Sequence, residues 1–155
     1  MFTHGNIRQG GYGALDIAKY VVDRCTTMEH PVSDLQLQKI LYYIQLAFIK
    51  NAKCLAFNDD IEAWPYGPVV REVYNYFNGF GSNEICLYFS ECRSLFQIHD
   101  HEQLVNIMIE RCLQYRPWEL VEMSHNVDGP WYKIYNKRGK YSAIPIEEII
   151  EYALA

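Results

Sequence analysis

The sequence contains no CxxC pair, and its five cysteines, Cys25, Cys54, Cys86, Cys92 and Cys112, are an odd number scattered along the chain. That argues against a disulfide framework and a zinc ribbon, and for reduced thiols in a cytoplasmic setting. Long apolar runs are missing too. The longest are broken by Lys39, Lys50 and Arg71, well short of the ~20 residues a helix needs to cross a bilayer. The start, MFTHGNIRQGGYG, lacks the charged-then-apolar pattern of a secretory signal. Positive charge is scarce: the net charge is −5, with the acidic excess concentrated after residue 79. Lys137, Arg138 and Lys140 form the sole basic cluster, too small for a nucleic-acid footprint, so duplex binding is not expected.

Signatures of catalysis are absent as well. There is no GxSxG, P-loop, GxGxxG or HExxH, and the glycines near the N-terminus do not sit between a strand and a helix, as a phosphate cradle requires. His99-Asp100-His101 offers two metal ligands on an extended backbone, yet zinc sites want three or four, so it reads as an exposed loop with no metal. Cys86 and Cys92 have no base beside them and read as structural thiols. His125 could be oriented by Asp128 for acid–base chemistry. Alternatively, the two cap neighbouring helix ends while Trp131 packs beneath. No nucleophile accompanies them, and no catalytic residue or cofactor is assigned.

What the sequence has in quantity is aromatic and apolar matter: half of its 155 residues are hydrophobic and 13 are tyrosines. A chain of this length can bury about 70% of its unfolded surface in one core. Residues 1–13 carry little periodicity and read as a flexible leader; residues 14–155 read as one compact, mainly α multi-helix domain with at most a short extended segment or small hairpin.

The 3.6-residue period of Leu15, Ile17, Ala18, Val21, Val22 and Cys25 predicts a helix over 14–27. Ser33 and Gln36 have the spacing of a capping box, in which each side chain satisfies a backbone N–H of the other, and open a second helix over 33–51. A short extended piece is expected at 61–64, then a helix from Gly67-Pro68 to Phe77, since proline is well tolerated at the first helical position. Residues 80–99 read as an irregular connection. Helical spacing resumes at Leu104 and breaks at Pro117. Shorter helices follow over 118–125, 131–136 and 145–152.

Three blocks carry a resemblance: LQLQKILYYIQ (35–45), EAWPYGPVVREVYNYF (62–77) and ELVEMSHNVDGPW (119–131). Together they resemble the Panacea-domain family, over about residues 14–135. That resemblance implies a mostly helical antitoxin domain, encoded beside diverse toxins and carried also by phages and other mobile elements, acting on its toxin by direct binding. A proteolytic adaptor or a host-interaction protein is the alternative partner role, and a small enzyme using His125 and Asp128 the alternative chemistry. The implied contact residues are Glu62, Trp64, Tyr66, Arg71, Glu72 and Tyr43, with the two acids placed to meet a basic toxin surface. Gln38, Lys39, Gly67, Pro68, His125 and Trp131 fall in the shared blocks with roles left open; Gln38 and Lys39 either face outward or brace Glu62. Pro65, Gly67 and Pro68 would fix the backbone beforehand, so that Trp64 and Tyr66 lose little entropy when a partner docks.

Overall fold

A computed structural model describes residues 6–155. Among them are seven α-helices and a small three-stranded antiparallel sheet: α1 (Ala14–Thr27), α2 (Asp34–Ala52), β1 (Glu62–Trp64), β2 (Gly67–Val69), α3 (Arg71–Phe77), α4 (His99–Leu113), α5 (Pro117–Ser124), α6 (Pro130–Arg138), β3 (Ser142–Ala143) and α7 (Ile146–Leu154). The mainly α class expected from the sequence is what the chain adopts.

The fold is organised around α2. Ser33 and Gln36 form the anticipated capping box at its start, and the helix contacts α1, α3, α4, α5, α7 and β2. A helix enclosed on so many sides must be apolar nearly all round or satisfy its polar groups internally. It does both. Leu37, Ile40, Leu41, Ile44, Phe48 and Ile49 are fully buried, and so are Lys39 and Gln45. Gln45 accepts from the Ala56 N–H at 2.7 Å and donates to the Phe57 carbonyl at 2.9 Å, satisfying backbone groups of an irregular segment that is otherwise paired through isolated bridges to residues 8 and 12. Gln45→Leu leaves those backbone groups dry and unpaired. We expect a loss of about 2–3 kcal/mol of stability, read as a lower urea midpoint; an unchanged midpoint would show that the 54–57 segment is not held this way.

The sheet runs in the order β2-β1-β3. Pro65 and Tyr66 form a two-residue turn closed by the Trp64–Gly67 pair, with Ala63 opposite Pro68 and Glu62 opposite Val69. Gly67-Pro68 therefore does not start a helix, contrary to the sequence expectation. Pro68 lies in an edge strand, where its missing N–H is tolerated, and α3 begins at Arg71. The hairpin prevails because β1 pairs along one side of it while α2 holds its backbone from the other.

Two further departures have simple causes. Residues 1–5 of the expected leader lie outside the described residues, but 6–13 are tied down: Arg8 bridges to Cys54 and Tyr12 to Phe57, and Gly10 lies so close to the Phe57 backbone that a Cβ would come within 2.7 Å of it. Local periodicity does not register a segment held by partners more than 40 residues away. His99-Asp100-His101, expected in an exposed loop, is the first turn of α4, where the His101 ring meets the Tyr12 hydroxyl at 2.7 Å. The stretch between α3 and α4 is irregular, as expected, apart from short 3-10 turns at 78–80 and 90–92. Asp23 of α1 anchors it, taking the Phe89 N–H at 2.9 Å and both arms of Arg93. That guanidinium holds the Asp23 carboxyl below its usual range.

Candidate binding site at the Trp64–Pro68 hairpin

The hairpin rests on side chains from α2, α5 and α6. Gln38 takes the Val70 N–H at 2.9 Å, and its amide also donates to Asp34 at 3.2 Å. Lys39 is fully buried and donates to the Pro68 carbonyl at 3.2 Å. Gln38 and Lys39 thus neither face outward nor brace Glu62; they grip the backbone of the second strand. Gly67 has φ +110°, and a Cβ there would sit 2.7 Å from both Lys39 Cε and Ser124 Oγ. Only glycine fits the turn and the space.

Trp131 supports the other strand. Its indole N–H donates to the Trp64 carbonyl at 2.8 Å, and its ring is stacked between His125 (3.7 Å between centroids, planes 8° apart) and Tyr135 (4.6 Å, 17°). His125 caps the C-terminus of α5, with its Nε2 buried and unpartnered among the described residues. Burial, and secondarily Lys39, pushes its pKa down, so the ring is a neutral platform at pH 7. Asp128 is exposed; its N–H bonds to the Asn126 side chain, and no hydrogen bond links it to His125 among the described residues. His125 thus stands at a helix end with Trp131 against it, whereas Asp128, expected to cap the neighbouring helix, does not: Gly129 is the N-cap of α6.

Burial pushes Lys39 down to about 7, opposed by Asp34, while Asp34 is pushed up to about 6. The unfolded chain keeps the lysine proton to its usual value near 10.5, whereas the folded one releases it near 7. The unfolded state binds more protons across that interval, so stability must rise with pH there. The cost of charging Asp34 is already present above about 6, and the buried thiols matter only near their usual 9.0 and above. We therefore expect a gain on the order of 1.5 kcal/mol between about pH 7 and 8.5, measured by urea unfolding and absent in Lys39→Met. An equal rise in that variant would assign the effect elsewhere.

The expected contact residues divide into three groups. Trp64 is half-buried in a cage of Tyr74 (4.8 Å), Tyr141 (5.0 Å) and the Arg71 guanidinium (5.3 Å), and its N–H donates to Glu62 at 2.8 Å. Glu62 and Arg71 are joined in a two-pronged ion pair at 2.8 and 3.2 Å. These three side chains are engaged with one another and stiffen the hairpin. Tyr66 projects from the turn, 60% exposed, and packs edge-on against Trp118, 55% exposed, with centroids 6.1 Å apart. Glu72 is exposed on the first turn of α3. Tyr43 is not part of the hairpin; it is half-buried in a groove between α2, α4 and α5.

Trp118 was missed by the sequence reading, although a signal existed. The buried positions of α5 are Leu120, Val121 and Ser124, and Trp118, directly after the helix-opening Pro117, falls off that stripe. A tryptophan on the solvent side of a short helix is the residue to single out.

Residues 37–132 match the family described as Antitoxin SocA-like, Panacea domain. The chain belongs to that family. The Panacea match takes in nearly all of the three blocks, and it contains the whole hairpin with its supports from α2, α5 and Trp131. A curated Panacea relative, Antitoxin SocA of Caulobacter vibrioides (strain NA1000 / CB15N), is 30% identical over 132 residues, which cover 79% of this chain and 70% of that protein. No solved structure gives a significant match. Among the described residues, no helix of this Panacea protein is long and apolar enough to cross a membrane.

Proposed function

We propose that the protein is an antitoxin that neutralises a partner toxin by direct, stoichiometric binding, in the cytoplasm, with the exposed Tyr66–Trp118 pair at the centre of the contact. Family membership supports the antitoxin role. The single observation that carries the binding mode is the contrast at the hairpin: Glu62, Trp64 and Arg71 are engaged with one another and Pro68 is gripped by α2, while Tyr66 at the turn meets Trp118 of α5 with both residues more than half exposed.

Tyrosine and tryptophan dominate the energy of protein interfaces, and contacts on a rigid frame cost little to order. Trp64, Glu62 and Arg71 act through the frame; Tyr66 and Trp118 touch the partner, with Glu72 at the rim. The buried Lys39 and Ser124 lie beneath the hairpin and the half-buried His125 backs Trp131; in this reading they seat the hairpin and carry out no reaction. Co-expression with the neighbouring gene product tests this. We expect restored growth and a complex that survives purification; growth restored with no complex would overturn the binding mode.

A further inference from the structure

Away from the hairpin, α2, α4, α5 and α7 enclose a second surface feature. Two hollows of about 420 and 250 Å³ share Tyr43, Met108 and Arg111 as a common wall. Leu46 and Ala47 extend the apolar lining on one side, and Leu120 and Met123 on the other. α5 borders both this groove and the Tyr66–Trp118 pair.

Its charge is out of keeping with the rest of the chain. The protein has an acidic excess, yet no Asp or Glu side chain lines either hollow: Lys50 and Arg111 line the larger one, together with the last residue, Ala155, and its carboxyl group, and Arg111 also lines the smaller. Both cations are exposed, and neither belongs to a salt bridge among the described residues. Each lies in the last turn of its helix, where the helix dipole favours a basic residue. That preference accounts for the two cations, but not for the absence of Asp and Glu side chains from the lining.

We propose that this groove receives an acidic, apolar-anchored segment of the toxin, with large apolar side chains filling the hollows and Asp or Glu side chains pairing with Lys50 and Arg111. The proposal rests on neutralisation by binding, and it assigns the toxin segment a charge opposite to that anticipated from Glu62 and Glu72. Apolar anchors supply the burial, and the paired charges supply register and rejection of wrong partners. The groove gives Tyr43 a place in the contact separate from the hairpin.

The test uses the full chain and its purified toxin. Benzoylphenylalanine is introduced at the exposed, groove-lining Gln114, irradiated in the complex, and the linked peptide is identified by mass spectrometry. In parallel, toxin affinity is measured for Lys50→Glu/Arg111→Glu and for Lys50→Gln/Arg111→Gln. We expect a link to a toxin segment holding at least two carboxylates among large apolar residues. The double reversal should lose at least about 30-fold in affinity and the neutral pair less. A link to a segment without acids, a link to a second copy of this chain, or reversal variants that bind like wild type would each overturn the proposal. Toxin binding that requires Tyr66 and Trp118 but ignores Lys50 and Arg111 removes the groove alone; wild type that binds no toxin removes the proposed function with it.

Discussion

Gly67→Ala is expected to cost about 3 kcal/mol of folding stability and to abolish neutralisation of the toxin. Two terms add. A φ of +110° costs a residue with a Cβ roughly 1–2 kcal/mol. The new methyl group would also press to 2.7 Å against Lys39 Cε and Ser124 Oγ, two side chains that are almost completely buried and have nowhere to retreat; overpacking of that kind costs about 1–3 kcal/mol. Gly139→Ala is the control, because Gly139 has φ +87° and open space around its Cβ position. It should suffer only the backbone term, about 1 kcal/mol. Urea unfolding followed by tryptophan fluorescence separates the two. A Gly67→Ala variant no less stable than Gly139→Ala would mean that the hairpin is not clamped onto α2 and α5.

Tyr66→Ala/Trp118→Ala should do the reverse, leaving the fold nearly unchanged and weakening the toxin complex by at least about 100-fold. Both rings are more than half exposed, so their removal should alter stability by no more than about 1 kcal/mol. At the centre of an interface, aromatic residues of this kind are worth about 2 kcal/mol or more each, and every 1.4 kcal/mol is roughly a factor of ten. Trp64→Ala offers the contrast. It empties the cage formed by Tyr74, Tyr141 and Arg71 and so should lower stability first and binding only as a consequence. Calorimetric titration of the toxin, paired with thermal melts, distinguishes a contact residue from a frame residue. If the double variant bound like wild type, the contact would lie elsewhere on the surface.

The helices whose signals are local were legible in the sequence. The period of α1 and the Ser33–Gln36 capping box of α2 lie within a few residues of what they specify, and both elements came within a residue of expectation. The Gly67-Pro68 step was misread because its deciding interactions come from Lys39 and Gln38, about thirty residues earlier, while the dipeptide alone suits a helix start equally well. For the same reason the shared blocks could be recognised before their roles could. Lys39 stood open between facing outward and bracing Glu62, and only tertiary structure shows it buried beneath the strand it grips. The candidate contact was half visible: Tyr66 stood out in its turn, whereas Trp118 matters because the fold brings α5 beside that turn.

The claim at the centre of this account is that the protein acts by occupying its toxin and does not chemically transform it. Titrating a fixed amount of active toxin with increasing amounts of the purified protein tests that most directly. The account predicts that toxin activity falls in proportion to added protein, reaches its floor at a fixed molar ratio, and does not change further with time. Progressive loss of toxin activity at ratios far below one protein per toxin, continuing as incubation is extended, would contradict it.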